Sequence, residues 1–465
     1  MKYMSLFKEM RLLKRPDTLT VEEISRVQTN RLHNLLAYVR KKSPYFQELY
    51  KDLPDTPTLT DIPVTTKQEM MTHFDDWITD KEITLKKINR FMENKDNIGR
   101  KLHNAYMVFT TAGSTDTPVV VLHDHHSIKI MTTLNLFRAL AHKEDMRKLI
   151  GRGGKSAAVY AKGGFNLSYS RIRSRQLAFP WKRKRLEVID VLTPLPEIVK
   201  QLNNFQPALL GGYPTALELL LPEQRAGRLH ISPVTINTGG EHLSAELKQE
   251  LSEVFQCTVQ TNYANTEGGM IAFECSHGHL HVNTDWVIVE PVDENYQPVP
   301  DGVLSHSLLL TNLSNYIQPI IRYEITDRII LHSKTCSCGN KFPYIEVEGR
   351  TDDILAFHGE KKNVTTDHEV LVKIAPIAFY AVLKEVKGIN RFQLVQKSMN
   401  QLVLRITCDN ERERSRVFEI AKKSLTAFLE SNGIYDVEIH LSKLSPRSHP
   451  LSGKFNHVYK DIINI

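Results

Sequence analysis

Apolar residues near the amino terminus recur at helical spacing, and further along they condense into short runs separated by amphipathic segments. In VEEISRVQTNRLHNLLAYVRKKSPYF, Leu32, Leu35, Leu36 and Val39 share one helical face until Ser43-Pro44 stops the run. DIPVTTKQEMMTHFDDW reads as a proline turn followed by a short helix capped by threonine. From about Tyr106 the pattern is strand, loop, helix, repeated. AYMVFTT is a short apolar strand, and Ile130, Leu134, Phe137 and Ala141 are expected on the inner face of the helix that follows. SAAVYAKGG, PALLGGYP and PVTINTGGE are further apolar strands, each ending in a glycine-rich turn. This alternation predicts an α/β architecture with mixed, largely parallel sheets. In such sheets ligands bind outside the carboxyl ends of the strands.

After Val282 the helical periodicity fades and short β segments such as SHSLLLTNL and DRIILHS take over. A break follows IEVEGRTDD. Beyond it RFQLVQ, QLVLRITCD and VEIHLSKL, with a helix expected at 411–431, read as a small α+β domain. The expected organisation is a large domain over 1–350 and a small carboxyl-terminal domain over 353–465.

Composition narrows this picture modestly. With 465 residues there is chain for more than one domain. The formal net charge of +7 suits an anionic substrate and does not demand nucleic acid. The densest basic run, WKRKRLE (Trp181 to Glu187), reads as a solvated face, and nothing interleaves aromatic and basic residues as a single-strand-binding platform would. No apolar run is long enough to span a bilayer, and the charged start MKYMSLFKEMRLLKRPDTLT lacks the pattern of a secretory signal. A cytoplasmic protein without nucleic-acid or membrane partners is expected. Five cysteines in so long a chain do not make a disulfide framework. Cys257 and Cys408 are expected in the core, whereas Cys275, Cys336 and Cys338 are spaced as candidates for chemistry.

FTTAGSTDTPVVV (Phe109 to Val121) is a strand running into a loop rich in hydroxyls and free backbone: Thr110, Thr111, Gly113, Ser114 and Thr115. Backbone amides and hydroxyls at a strand-to-helix turn suit phosphate oxygens. NTGGEHL (Asn237 to Leu243), NYANTEGG (Asn262 to Gly269), RYEITDRI (Arg322 to Ile329), EGRTDDIL (Glu348 to Leu355) and PLSGKFN (Pro450 to Asn456) follow in order. Together these motifs resemble the adenylate-forming superfamily of acyl-CoA synthetases and adenylation domains. YVRKKSPYFQELYKDL, LTDIPVTTKQEM and CSCGN narrow the resemblance to the phenylacetate–CoA ligase and coenzyme F390 synthetase-like, CapK-like, group. It covers nearly the whole chain.

The resemblance implies ATP-dependent activation of a carboxylic acid to an acyl-adenylate, followed by transfer to a nucleophile, most often the thiol of CoA. It implies a large adenylate-forming domain and a small mobile domain that carries the catalytic lysine. By this resemblance the loop from Thr110 to Thr115 holds the β- and γ-phosphates. Glu267, beside Thr266, is a Mg²⁺ ligand; this hard cation needs only one or two carboxylates besides phosphate oxygens. Tyr263 and the turn Gly239, Gly240, Glu241 flank the adenine, Asp327 takes the ribose hydroxyls, and Arg350 faces ribose and phosphate. Lys454 reaches the α-phosphate and carboxylate oxygen as a point charge. Asp352 matches the hinge, and Tyr213 and Asn237 wall the acyl pocket.

One departure from the family pattern stands out. Where its loop usually continues Gly-Lys-Pro, this chain has Asp116, Thr117 and Pro118. A carboxylate facing a triphosphate at a few ångströms is repelled by about 1 to 4 kcal/mol, depending on the dielectric. The hydroxyl-rich half of the cradle is present and its cationic half is not. HDHHS (His123 to Ser127) has metal-ligating residue types, but in the family this place is the approach to the helix after the loop.

Some relatives in this group carry a closed structural Zn²⁺ site, which implies Cys275, His281, Cys336 and Cys338 as three thiolates and an imidazole. His281 is chosen among the histidines of ECSHGHLHV by its spacing from Cys275. The alternative is three free thiols beside a solvent-facing histidine cluster. The expected substrate is an aryl or arylacetic acid, with ATP, Mg²⁺, CoA and structural Zn²⁺ as companions; homodimer formation is left open. Two other readings share the motifs: an AMP transferase or a ligase to an amine or carrier protein, and a non-catalytic, zinc-braced nucleotide-binding relative.

Overall fold

The structure, a computed structural model, describes residues 19–111, 119–162, 164–350, 354–359, 370–374, 376–408, 410–448 and 455–461. Its chain divides into two compact units that part between Glu348 and Gly349.

The first unit opens with helix α1 (Val21–Lys42), which starts on a capping box. Thr20 accepts from the Glu23 amide at 3.2 Å and Glu23 accepts from the Thr20 amide at 2.9 Å, so two otherwise orphaned donors are satisfied. Leu32, Leu35, Leu36 and Val39 are buried on its inner face, as their spacing predicts. Trp77 is fully buried, and its indole N–H donates to the Pro319 carbonyl at 2.6 Å. A three-stranded antiparallel sheet follows: β1 (Lys101–Leu102), β2 (Tyr106–Thr110) and β3 (Val120–His123). The outer edge of β3 is paired by side chains. Gln318 accepts from the Leu122 amide at 2.6 Å and donates to the Val120 carbonyl at 2.9 Å, and Asn315 donates to the Leu122 carbonyl at 2.8 Å.

Helix α2 (His125–Arg138) corrects one expectation. Ile130 and Leu134 are buried, but Phe137 is 39% exposed and Ala141 lies beyond the helix. The inner position of the last turn belongs to Arg138, whose guanidinium donates to Asp285 at 2.8 Å and thereby turns Phe137 outward.

The large sheet has nine strands. Its parallel half comprises β4 (Ser156–Tyr160), β5 (Leu186–Asp190), β6 (Leu209–Gly212), β7 (Thr235–Thr238) and β8 (Thr258–Asn265), in the spatial order β5-β4-β6-β7-β8. From β8 the sheet continues antiparallel through β9 (Gly269–Glu274) and β10 (Leu280–Val282). One face buries Val159, Leu202, Leu210, Leu251 and Phe255, drawing on helices over 195–205 and 245–255. The other buries Met270 and Phe273 against Ile130, Met131 and Leu134 of α2, beside helix α3 (Leu167–Ala178).

β11 (Val287–Val292), β12 (Ser307–Asn312) and β13 (Tyr323–Ile325) form a smaller antiparallel sheet. Arg322 joins it to the amino-terminal segment from a left-handed backbone, φ +44°, that its interactions sustain. It pairs with Glu290 at 3.1 Å, donates to the Ile62 carbonyl at 2.5 Å, and accepts from the Thr65 amide at 3.0 Å. β14 (Asp327–His332) and β15 (Tyr344–Arg350) complete the large sheet beside β10.

In the second unit β16 (Leu355–Gly359) pairs with β17 (Val370–Ile374). A mixed four-stranded sheet is built from β18 (Arg391–Ser398), β19 (Gln401–Thr407), β20 (Glu438–Leu441) and β21 (Val458–Lys460), in the order β20-β19-β18-β21. Phe357, Phe379, Leu394, Leu404 and Leu425 fill its core, with the helix over 414–431 covering one face. Cys257 and Cys408 are half-buried at the rims of their clusters rather than central in them. No helix among the described residues is long and apolar enough to cross a membrane.

Candidate active site

Strands β4, β6, β7 and β8 run parallel in matched register, with Val159 beside Gly212, Gly212 beside Thr238 and Thr238 beside Thr261. Their carboxyl ends therefore open on one edge, where the helix-leading turns collect. After β6 comes Tyr213, 5% exposed, whose ring meets the Tyr160 ring edge-on with centroids 4.9 Å apart. Burial pushes both phenols up, with the nearby Glu241 adding to it, Tyr160 to about 12. After β7 the chain turns through Gly239 and Gly240. Gly240 has φ +85°, a region that favours glycine, and a Cβ on Gly239 would stand 3.3 Å from the Asn262 side-chain oxygen. The Glu241 carboxylate accepts from the Thr215 hydroxyl at 2.7 Å and amide at 3.2 Å, tying this turn to the one that begins at Tyr213. Asn262 donates to the Asn237 side chain at 2.8 Å.

The end of β8 brings distant motifs together. The Tyr263 hydroxyl donates to the Asp327 carboxylate at the start of β14, joining two residues far apart in sequence. Thr266 and Glu267 occupy the tight turn between β8 and β9, and three side chains hold its backbone. Asn312 donates to the Glu267 carbonyl at 2.9 Å, Asn265 accepts from the Gly268 amide at 2.6 Å, and His123 Nε2 lies 2.9 Å from the Thr266 carbonyl. The Glu267 side chain itself is half-buried.

His123 is fully buried with Nδ1 3.0 Å from the Ser127 hydroxyl, and burial lowers its pKa to about 4. A neutral ring whose Nε2–H donates to Thr266 and whose Nδ1 accepts from Ser127 satisfies every group. The motif HDHHS thus supplies a backbone prop at the end of an apolar strand, and the structure gathers no metal-ligand cluster there among the described residues. A single histidine closing the run VVVLH was the available sequence signal. Folded His123 stays neutral between its unfolded value near 6.5 and its folded value of about 4. In that interval the unfolded chain binds the extra proton, so stability falls as pH falls, by about 1.4 kcal/mol per unit. Urea unfolding at pH 7 and pH 5 is expected to show a larger acid loss in the wild type than in His123→Asn. Equal losses would mean that His123 titrates alike in both states.

At the base of the proposed phosphate loop, the Thr110 amide donates to the Phe165 carbonyl at 2.9 Å. The Thr111 amide donates to the Val119 carbonyl at 2.9 Å, and its hydroxyl accepts from the Val119 amide at 3.0 Å. Gly113, Ser114 and Thr115 lie outside the described residues, as do Asp116, Thr117, Asp352 and Lys454. Of Arg350 only the backbone, at the end of β15, is described.

A second cluster forms on the antiparallel half of the sheet. One ligand atom from each of Cys275, His281, Cys336 and Cys338 lies within 4.8 Å of all the others. Cys275 begins the turn between β9 and β10, His281 sits on β10 opposite Tyr344 of β15, and the two remaining cysteines lie in the loop leading to β15. His281 Nδ1 is 2.7 Å from the Phe342 carbonyl, which fixes the proton there and leaves Nε2 facing Cys338 Sγ at 3.3 Å. Backbone amides of His277, Cys338 and Asn340 donate to the sulfurs of Cys275, Cys336 and Cys338 at 3.4, 3.5 and 3.4 Å. Burial pushes the Cys336 thiol up, but the Cys338 amide and the His279 and His281 rings more than offset it and hold the group low; burial and the neighbouring sulfurs push Cys338 up. Thiols that oppose each other's ionisation around one orienting imidazole are a donor set that fits a divalent cation.

No family model matches the chain. Protein CapK of Staphylococcus aureus is 20% identical over 423 residues, covering 87% of this chain and 82% of that protein. Phenylacetate-coenzyme A ligase of Thermus thermophilus is 22% identical over 383 residues, 78% of each. Among solved structures, 2-hydroxyisobutyryl-CoA ligase in complex with R3-HIB-AMP superposes with a TM-score of 0.65 at 16% identity, covering 100% of this chain and 94% of that one. The chain shares the fold of the solved CoA ligase, and in sequence it is similar to CapK and to phenylacetate-coenzyme A ligase. The nine-stranded sheet with its parallel half, and the small α+β unit, are the fold that the motif order implied.

Proposed function

We propose that this adenylate-forming protein is an AMP-forming acid–thiol ligase. A carboxylate oxygen attacks the α-phosphorus of ATP, the bond to the β-phosphate breaks and pyrophosphate leaves. The CoA thiol then attacks the acyl carbon, the bond to AMP breaks, and a thioester forms. The observation that carries this reading is the pairing of Tyr263 with Asp327 beside the braced Thr266–Glu267 turn, on the carboxyl edge of the parallel strands. The two relatives and the solved ligase support it.

In this reading Asp327, oriented by Tyr263, accepts from the ribose hydroxyls. Glu267 and the phosphates hold Mg²⁺, which supplies neutralising charge. Thr110, Thr111, Gly113, Ser114 and Thr115 cradle the terminal phosphates, and Gly239, Gly240 and Glu241 border the adenine. Arg350 offsets charge at ribose and phosphate, and Lys454 does so at the α-phosphate. The edge-on rings of Tyr160 and Tyr213, with Asn237 nearby, favour an aryl or arylacetic acid as substrate. Domains are assigned as 1–350 and 353–465.

A panel of carboxylic acids in an ATP–pyrophosphate exchange assay tests the reading, and exchange with none of them would overturn it. Asp352 is assigned as the pivot that lets one small domain serve both half-reactions. Asp352→Pro, which fixes φ and removes a backbone donor, is expected to impair one half-reaction far more than the other. The comparison is adenylate formation against thioester formation in one preparation. Equal losses would point to misfolding, and no loss in either would remove Asp352 as the pivot.

A further inference from the structure

Arginines set deeply in the first unit are matched to carboxylates: Arg138 and Arg31 hold Asp285 at 2.8 and 3.8 Å, and Arg322 holds Glu290 at 3.1 Å. Arg171 and Arg175, one turn apart on α3, break this rule. Among the described residues neither forms an ion pair, and no acidic group bears on either guanidinium. Burial depresses both, Arg171 to about 10 with Arg175 adding repulsion. The Arg171 guanidinium lies 3.6 Å from Met270 Sδ, a weak acceptor. Arg171 nevertheless stays only half-buried, so part of it faces space that solvent enters. Desolvating a cation without a counter-charge is costly, and an arriving anion offsets that cost.

Its place in the fold says which anion. Helix α3 begins where β4 ends, just past Tyr160, and Arg171 lies in its second turn. Met270 belongs to the first residues of β9, three positions after Glu267, and packs toward Leu167 of the same helix. The guanidinium, in contact with Met270 at the start of β9, therefore borders the carboxyl edge of the sheet on the side of the Thr266–Glu267 turn. Given the acid–thiol ligase reading, on which this inference rests, we propose that Arg171 binds a second anionic group at the far end of the acid. The substrate class is then an acid bearing a remote carboxylate, phosphate or sulfate. Arg175, one turn on, strengthens the local positive field. A planar guanidinium offers such a group two parallel hydrogen bonds, which a neutral tail could not use.

The test is pyrophosphate exchange with matched acids, adipate against hexanoate and 4-carboxyphenylacetate against phenylacetate. Wild type, Arg171→Met, which keeps apolar packing on Met270, and Arg171→Lys are compared. In the wild type kcat/KM is expected to favour the dianionic member of at least one pair by about tenfold or more, the scale of one charge-assisted contact. Arg171→Met should erase or reverse that ratio and Arg171→Lys should keep part of it. A wild type that exchanges with the monoacids but shows no such preference overturns the inference and leaves the ligase reading standing. A raised KM for ATP with an unchanged acid ratio in Arg171→Met also overturns it, since the guanidinium would then serve the triphosphate. If no acid supports exchange, the ligase reading fails, and thermal unfolding with adipate or 4-carboxyphenylacetate decides the site. A Tm rise that is absent in Arg171→Met retains an anion site, and no rise removes it.

Discussion

Lys454→Ala is expected to lower adenylate formation by at least a hundredfold while a preformed acyl-adenylate is still converted to thioester. The first half-reaction gathers negative charge around the α-phosphorus as the carboxylate oxygen approaches and pyrophosphate departs. A positioned ammonium is stronger there than in the ground state, so its removal raises the barrier of that step by about 3 kcal/mol or more. The second half-reaction replaces AMP by a thiolate, with negative charge developing on the acyl carbonyl oxygen as AMP leaves, and the lysine has no equal part in it. With Asp116 and Thr117 where the family's loop usually has a glycine and a lysine, the cationic half of the cradle is missing, but the proposed role of Lys454 at the α-phosphate does not depend on that loop lysine. Pyrophosphate exchange reads the first step, and a synthetic acyl-adenylate mixed with CoA reads the second. Wild-type exchange in the variant would remove the catalytic assignment.

The elements with strict periodicity were legible in the sequence. Leu32, Leu35, Leu36 and Val39 mark a helix because nothing competes for that face, and the parallel strands show as apolar runs because both faces of the sheet are covered. Phe137 misled because a buried ion pair, Arg138 with Asp285, displaced an apolar residue from the inner position of the last turn. Pairings across the fold were legible only as motif order. Taken singly, Tyr263 and Asp327 each read as an ordinary polar residue, and their hydrogen bond joins strands that are neither consecutive in sequence nor neighbours in the sheet. The sequence placed His123 only on the approach to a helix, and its role as a prop for Thr266 shows once the fold buries the ring, which keeps the imidazole neutral and hydrogen-bonded. Arg171 gave no signal at all. A guanidinium without a counter-charge is visible only once every carboxylate around it has been located.

Protein purified without added metal is expected to hold about one equivalent of Zn²⁺, and Cys336→Ser with Cys338→Ser to hold none. The double variant should unfold at a markedly lower temperature, with the loss concentrated around the cluster. A loop between β14 and β15 and a tight turn between β9 and β10 meet there, with apolar packing of Phe342 and Ile345 but no disulfide to fix them. Cross-linking both through one cation confines the unfolded chain over the long stretch from Cys275 to Cys338, and metal binding is then coupled to folding. Removing two thiolates leaves Cys275 and His281 as a pair too few for a closed tetrahedral site. Hydrogen exchange should therefore quicken in residues 275–281 and 336–345, while the amides of β4, β6 and β7 keep their protection. Because a closed site offers no open position for substrate, adenylation measured below the new unfolding temperature should persist. A metal-free wild type with unchanged thermal stability would refute the structural role, and loss of adenylation in a fully folded double variant would move the cation from scaffold to chemistry.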